Sequence, residues 1–342
     1  MKNLKFGIIA WLIPVMLWLP LNATWAGRQV FEISGQTMGT FYTVKLISGK
    51  KESPRFWKTR IDTLLKKVNK KFSMYDPGSE LSAFNREPAN RRIRLSRDFY
   101  AILTTAKELH RMTGGAWDGT LKPLVDLWGF GTQGRADTVP DADEVNRIRA
   151  ATGFDKITLP GVGAAEKTAD VTLDLGSIAK GYGVDAVLEL VTASGIPDVL
   201  VEIGGELAAS GKNKKRQPWT VGINRPDKNL AGRLYKIIRL DNQSIATSGN
   251  YRNFFEADGK TYSHIIDPRT GYPTDNGIVS ASVIAGSCAF ADGLATALMV
   301  MDVEQGLDLV NRLENTECLI VRQESGKLVD YPSKGFSRLL PD

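Results

Sequence analysis

From residue 30 onward the hydrophobic pattern keeps switching between strand-like runs and helical spacing. Val30 to Ile47 is rich in β-branched and aromatic residues around Gly35 and Gly39, which predicts strands. Phe56, Ile61, Leu64, Leu65 and Val68 then recur at helical spacing, with Lys on the opposite face. Ser96 opens a second helix that stops at Gly114-Gly115. Further helices are predicted over Asp141 to Ala151, Ser177 to Ser194, Ser287 to Met301 and Val303 to Leu313. Strands are predicted over Val171 to Leu175, Val199 to Ile203, Trp219 to Ile223, Leu234 to Leu240, Ile278 to Ala285 and Cys318 to Arg322. No internal repeat and no low-complexity linker interrupts this order. The expectation is a single α+β domain, with helices packed on a mostly antiparallel sheet.

The first residues follow a different logic. Lys2 and Lys5 precede Phe6 to Leu21, a run without a charged side chain, and Ala23-Thr24-Trp25-Ala26 supplies small residues for cleavage. This is the layout of a secretory signal peptide over residues 1–26, leaving a domain over 27–342. The alternative is an uncleaved anchor in the inner membrane, although a run of about 16 residues with Pro14 and Pro20 is short for a span. No Cys lies near the cut, so the chain is not expected to be a lipoprotein. The expected location is exported and periplasmic. Cleavage removes two bases and no acid, taking the formal charge from +6 to +4, too weak to point to nucleic acid. The clusters at Lys66-Lys67, Lys70-Lys71, Arg91-Arg92 and Lys212 to Arg216 read as solvated faces. Cys288 and Cys318 have the choice of pairing after export, but Cys288 in an Ala-rich run also reads as a small buried residue.

Four segments carry candidate chemistry. In Thr172 to Gly181 a strand meets a helix at Gly176. Helix-start N–H groups suit an anion; Lys180 adds positive charge, and Asp174 is placed to accept from a base or ribose. A plain turn capped by Ser177 is the competing reading. GxxxxGK[ST] and GxGxxG are both absent. In Ser263 to Pro273, His264 leads into an Asp-Pro-Arg-Thr-Gly turn and is a candidate proton carrier or a tie for that turn. The other histidine, His110, lies on a predicted helix and reads as structural. In Ser287 to Ala297, Asp292 and Thr296 stand one helical turn apart and offer hard oxygens suited to Mg²⁺ together with phosphate and water. Met38 and Tyr75, each beside a turn, offer polarisable and aromatic surfaces for a planar ring.

Taken in order, these segments resemble one family. Met-Gly-Thr, Ser-Met-Tyr followed by Ser-Glu-Leu-Ser-Ala-Phe-Asn, Leu-Asp-Leu-Gly-Ser-Ile-Ala-Lys-Gly-Tyr, Glu-Ile-Gly-Gly-Glu, Ala-Thr-Ser-Gly-Asn-Tyr, His-Ile-Ile-Asp-Pro-Arg-Thr-Gly and Ala-Asp-Gly-Leu-Ala-Thr-Ala span residues 38 to 297. Their set is similar to the ApbE family of FAD:protein FMN transferases. The resemblance implies a T-fold-related core and an enzyme that binds FAD and Mg²⁺. It implies transfer of FMN to a Thr or Ser of an acceptor flavoprotein, typically a membrane redox-complex subunit, with release of AMP. Carried over by motif, Met38, Tyr75, Trp117, Asp118, Asp174, Lys180 and Ile265 would contact FAD. Ser177, through its backbone, with Asp292 and Thr296, would hold Mg²⁺. His264 is then the first choice of base and Asp292 the second. Two other readings stay open: a Mg²⁺-dependent hydrolase giving FMN and AMP, and a non-enzymatic FAD-binding assembly factor.

Overall fold

The computed structural model describes residues 29–49, 53–131, 138–227, 232–250, 254–257 and 259–341. The expected leader, residues 1–26, and Tyr251 of the Asn-Tyr motif lie outside the described residues. The strand-forming sequence around Met38-Gly39 folds as a hairpin, β1 (Gln29–Thr37) and β2 (Thr40–Ser48). Its two-residue turn takes φ of +48° at Met38 and +71° at Gly39, the positive pair that matches the strand twist. Helix α1 (Pro54–Phe72) is capped by Ser53 and buries Trp57, Ile61, Leu65, Val68 and Phe72 on one stripe. After it come α2 (Glu80–Arg86), β3 (Arg92–Arg94), α3 (Arg97–Met112, capped by Ser96), α4 (Lys122–Leu127) and α5 (Ala142–Ala151, capped by Asp141). Strands β4 (Ile157–Gly161) and β5 (Ala164–Lys167) pair with β3 in a small sheet.

The second half supplies α6 (Gly176–Ala193), β6 (Val199–Ile203), β7 (Glu206–Ser210), β8 (Trp219–Asn224), β9 (Leu234–Leu240) and β10 (Ser244–Gly249). The chain continues through β11 (Phe254–Ala257), β12 (Lys260–Ser263), β13 (Ile278–Ala285), α7 (Cys288–Leu298), α8 (Val303–Val310), β14 (Glu317–Glu324) and β15 (Lys327–Pro332). Eight strands form one sheet in the order β1-β2-β6-β7-β10-β13-β14-β15, and every neighbouring pair is antiparallel. The expected α+β class and antiparallel sheet are what the chain adopts.

Period-two alternation builds a core on each face of this sheet. Val44, Val201, Val283 and Ile320 face α1, α3, α6 and α7. Ile47, Ile284, Leu319 and Val321 face the opposite way, onto Trp219, Val221, Ile238 and Leu240 of the β8–β9 hairpin. Each of these side chains is at least nine-tenths buried, which at roughly 25 cal/mol per Å² of apolar surface makes the two cores the main stabilising contribution.

One element departs from expectation. Val171 to Leu175, expected as a strand, forms no strand and belongs to no sheet, and Leu175 already turns to φ −107° and ψ 13° as the N-cap of α6. The Asn85 side chain takes the place of a neighbouring strand: its Oδ1 accepts from Leu173 N at 2.8 Å, and its Nδ2 donates to Leu173 O at 2.8 Å. The expected strand is therefore not formed, and a side-chain amide satisfies the Leu173 groups that a ladder would otherwise pair.

Candidate active site

The close approach of α6 and α7 rests on small residues. A Cβ on Gly181 would lie 2.7 Å from Ala289 Cα and nearer still to the Cys288 carbonyl, so only glycine lets the two backbones meet. Asp185 of α6 fixes the start of α7, accepting from Cys288 N at 2.8 Å, Ala289 N at 3.0 Å and Ser287 Oγ at 2.9 Å. This junction sets Asp292 against α6. Its Oδ2 accepts from Gly181 N at 3.1 Å, and Lys180 Nζ stands 3.4 Å from Oδ2 and 3.5 Å from Oδ1. One turn on, Thr296 Oγ1 donates to Asp292 O at 3.2 Å and lies 3.1 Å from Ser248 Oγ at the end of β10.

These groups form one wall of a cavity of about 520 Å³. Asp118, Asp174, Ser177, Lys180, His264, Ile265, Asp292 and Thr296 all line it, although they come from four separate stretches of chain. Phe130, Ile265, Ile266 and Val300 give it an apolar side. His264 follows β12, is half-buried, and has its ring centre 6.4 Å from that of Phe130 in an edge-on arrangement.

Three expected contacts stand elsewhere. Tyr75 is 81% exposed and does not line the cavity. Met38 is outside it too, directed at Gly183 of α6, where an added Cβ would come within 2.7 Å of Met38 Cε. Trp117 is fully buried behind the wall, and its Nε1 donates to Ser177 Oγ at 3.1 Å. Its ring packs edge-on against Phe154.

The helix start differs from a bare anion site. Gly176 N donates to Asp174 Oδ1 at 2.8 Å, while Ile178 N and Ala179 N donate to Leu175 O. The N-cap is Leu175, and Ser177 lies inside the helix. Asp118 is likewise engaged: Oδ1 accepts from Thr120 N and Oγ1, and Oδ2 from Phe154 N. His110 Nδ1 sits 3.1 Å from Trp117 O, consistent with its expected structural part. Cys288 and Cys318 are both buried and free. Burial pushes both thiols up, which suits inert core residues.

Sequence reasoning assigned no part to Glu206, the last residue of Glu-Ile-Gly-Gly-Glu. It lines the cavity, with Oε1 3.3 Å from Lys180 Nζ. Its signals in the sequence are that motif and the preceding Gly204-Gly205, which takes φ of +64° and +108° and turns β6 into β7. Burial, then the Asp292 charge, push the Glu206 carboxyl up to about 8 against the pull of Lys180. Burial also raises Asp292, and Lys180 and the Gly181 amide oppose it. Burial alone would lower Lys180, but the two carboxylates reverse this and hold its ammonium firmly charged. Asp174 is raised by burial, with the Gly176 N–H and Lys122 opposing.

A family model described as the ApbE family matches residues 38–320. The chain belongs to the ApbE family. A Vibrio cholerae member named FAD:protein FMN transferase is 40% identical over 332 residues, covering 96% of this chain and 98% of that protein. A Haemophilus influenzae protein of the same name is 38% identical over 346 residues, covering 99% of each. Among solved structures, the flavin transferase ApbE of V. cholerae superposes with a TM-score of 0.83 at 39% identity, covering 92% of this chain and all of that one. The apo flavinyl transferase ApbE of Pseudomonas stutzeri gives 0.82 at 36% identity, covering 92% and 97%. These relatives are named as enzymes, and this ApbE-family chain is an enzyme.

Proposed function

We propose that this protein transfers the FMN half of FAD to a Thr or Ser hydroxyl of an acceptor flavoprotein, with Mg²⁺ and with release of AMP. The observation that carries the reading is the meeting of Lys180, Asp292, Thr296 and His264 in one cavity of an ApbE-family chain. A pyrophosphate needs positive charge and hard-cation ligands on one wall, with a proton acceptor within reach of the incoming hydroxyl. The Lys180 ammonium, the Asp292 and Thr296 oxygens and the His264 imidazole all line the cavity, which supports this reading.

The donor set fits Mg²⁺. Asp292 supplies a buried carboxylate, and Thr296 and Ser248 supply hydroxyls 3.1 Å apart beside it. Among the described residues no group of three or more His, Cys, Asp and Glu is placed around a metal. Mg²⁺ is commonly held by one or two carboxylates, with substrate phosphates and water completing its shell. When bound, the ion would neutralise pyrophosphate charge and stabilise the departing phosphate.

The residues of the chain then divide the work. Lys180 binds the phosphates through its fixed positive charge. Phe130, Ile265 and Ile266 exclude water from the flavin side. His264 takes the proton as the acceptor oxygen bonds to the FMN phosphorus. The P–O bond to AMP breaks, and AMP leaves with the electron pair. Asp174 and Asp118 hold the loops that close around the nucleotide. Met38 and Tyr75 would join only if FAD extends beyond the cavity towards the β1–β2 turn and the segment after α1.

The protein is proposed to act after export, as a domain over residues 27–342, on an exported or membrane redox protein. N-terminal sequencing of the periplasmic form should begin at Gly27. The activity is tested by incubating the protein with FAD and Mg²⁺, with and without acceptor. Acceptor-dependent AMP supports transfer, AMP at the same rate without acceptor assigns a hydrolase, and binding with no AMP in either arm assigns a carrier.

A further inference from the structure

The fold keeps a carboxylate at Glu206 where packing alone would favour an apolar residue. Glu206 begins β7, and Leu207, Ala208 and Ala209 follow it into the core clusters. It is 4% exposed, and its Oε2 has no hydrogen-bond partner among the described residues. A buried acceptor left open is costly, so its retention calls for a use. The only cation within ion-pair distance among the described residues is Lys180, 3.3 Å from Oε1. Lys180 is not docked on either acid: Asp292 stands almost as near, at 3.4 Å. The ammonium is shared between the two carboxylates.

We propose that Glu206 is the positioning residue of Lys180. Resting on the transfer reading above, the argument concerns what happens when a divalent cation engages Asp292. Asp292 then ceases to hold Lys180, and a flexible ammonium would lose its place on the wall. Glu206, anchored by the two-glycine turn, keeps it facing the phosphates. With Glu206 ionised or protonated, the acids, the ammonium and a divalent ion keep a net positive charge, which favours an incoming pyrophosphate. Without Glu206 the charge remains in the protein but not at a fixed point, and a misplaced group loses most of its effect.

The test is a double-mutant cycle on FAD affinity, read by flavin fluorescence with Mg²⁺ and again with EDTA. Glu206→Met keeps the volume and removes the acceptor, Glu206→Gln keeps an oxygen for Lys180, and Lys180→Met supplies the second side of the cycle. With Mg²⁺, E206M should weaken FAD about ten- to a hundredfold, the scale of a charge-assisted hydrogen bond. E206Q should recover to within about threefold, since its amide oxygen still accepts. In the K180M background E206M should cost less than about twofold, and with EDTA its effect should shrink, because Asp292 again holds the lysine. Equal losses in both lysine backgrounds, or equal losses with Mg²⁺ and EDTA, overturn the assignment. If E206M shows no cooperative melt, Glu206→Ala carries the same cycle. Wild-type FAD binding and acceptor-dependent AMP release, measured in parallel, test the transfer reading separately.

Discussion

Gly181 offers the sharpest perturbation, because its missing side chain joins the fold to the site. An alanine Cβ there would press on Cys288 and Ala289 backbone atoms, inside the 3.0 Å limit that real Cβ atoms respect. Backbone cannot swing aside as a side chain can, so α6 and α7 must separate by roughly an ångström. Overpacking of this kind costs about 1–3 kcal/mol. With an unfolding entropy of roughly 2.1 cal/mol/K per residue over about 316 residues, that lowers Tm by about 2–5 °C. The same movement pulls the Gly181 amide away from Asp292, now 3.1 Å apart, and a shift of this size at a catalytic group costs about a hundredfold in rate. Gly183→Ala is the control. Its Cβ would meet Met38 Cε at 2.7 Å, the far end of a flexible side chain that can turn away. Calorimetry and AMP release on both variants check the reasoning. It is refuted if G181A melts and turns over like wild type, or if G183A is the more damaging change.

Three further outcomes are expected. His264→Ala should slow single-turnover transfer by about two to four orders of magnitude, the scale of a lost general base, with FAD affinity held; an unchanged rate removes His264 from the chemistry. Asp292→Ala should abolish cation-dependent transfer while leaving a folded protein, as read by circular dichroism, and full transfer by that variant contradicts the metal assignment. Glu206 should make stability depend on pH. Because its carboxyl is raised from 4.5 to about 8, the folded chain keeps a proton that the unfolded chain releases. Stability is then full below pH 4.5 and falls as pH rises towards 8, by at most a few kcal/mol. Melts of wild type against E206Q at pH 5, 6.5 and 8 should diverge upward in pH, and parallel curves would refute this.

Most of the fold was legible because local signals agreed with the final packing. Ser53, Ser96, Asp141 and Ser287 all cap the helices they precede, and alternating apolar residues in β2, β13 and β14 fix two buried faces. What escaped was long-range. Nothing near Val171 to Leu175 reveals that Asn85, 88 residues before Leu173, replaces a strand partner. The site divides along the same line. Asp292 and Thr296 sit one turn apart in a single helix, so their shared face could be read directly. Glu206 becomes visible only when β7 meets α6 and α7 in three dimensions. The position of Trp117, buried behind Ser177 and packed on Phe154, was not legible, since it depends on residues 37 and 60 positions away.

The central claim is tested most directly by intact-mass analysis of candidate membrane redox subunits co-expressed with this chain, followed by peptide mapping. The account predicts one added FMN on a Thr or Ser of the acceptor, absent when Asp292 is replaced by Ala, with AMP released in equal amount when the reaction is rebuilt from FAD and Mg²⁺. Acceptors that stay unmodified while AMP and free FMN accumulate would contradict it.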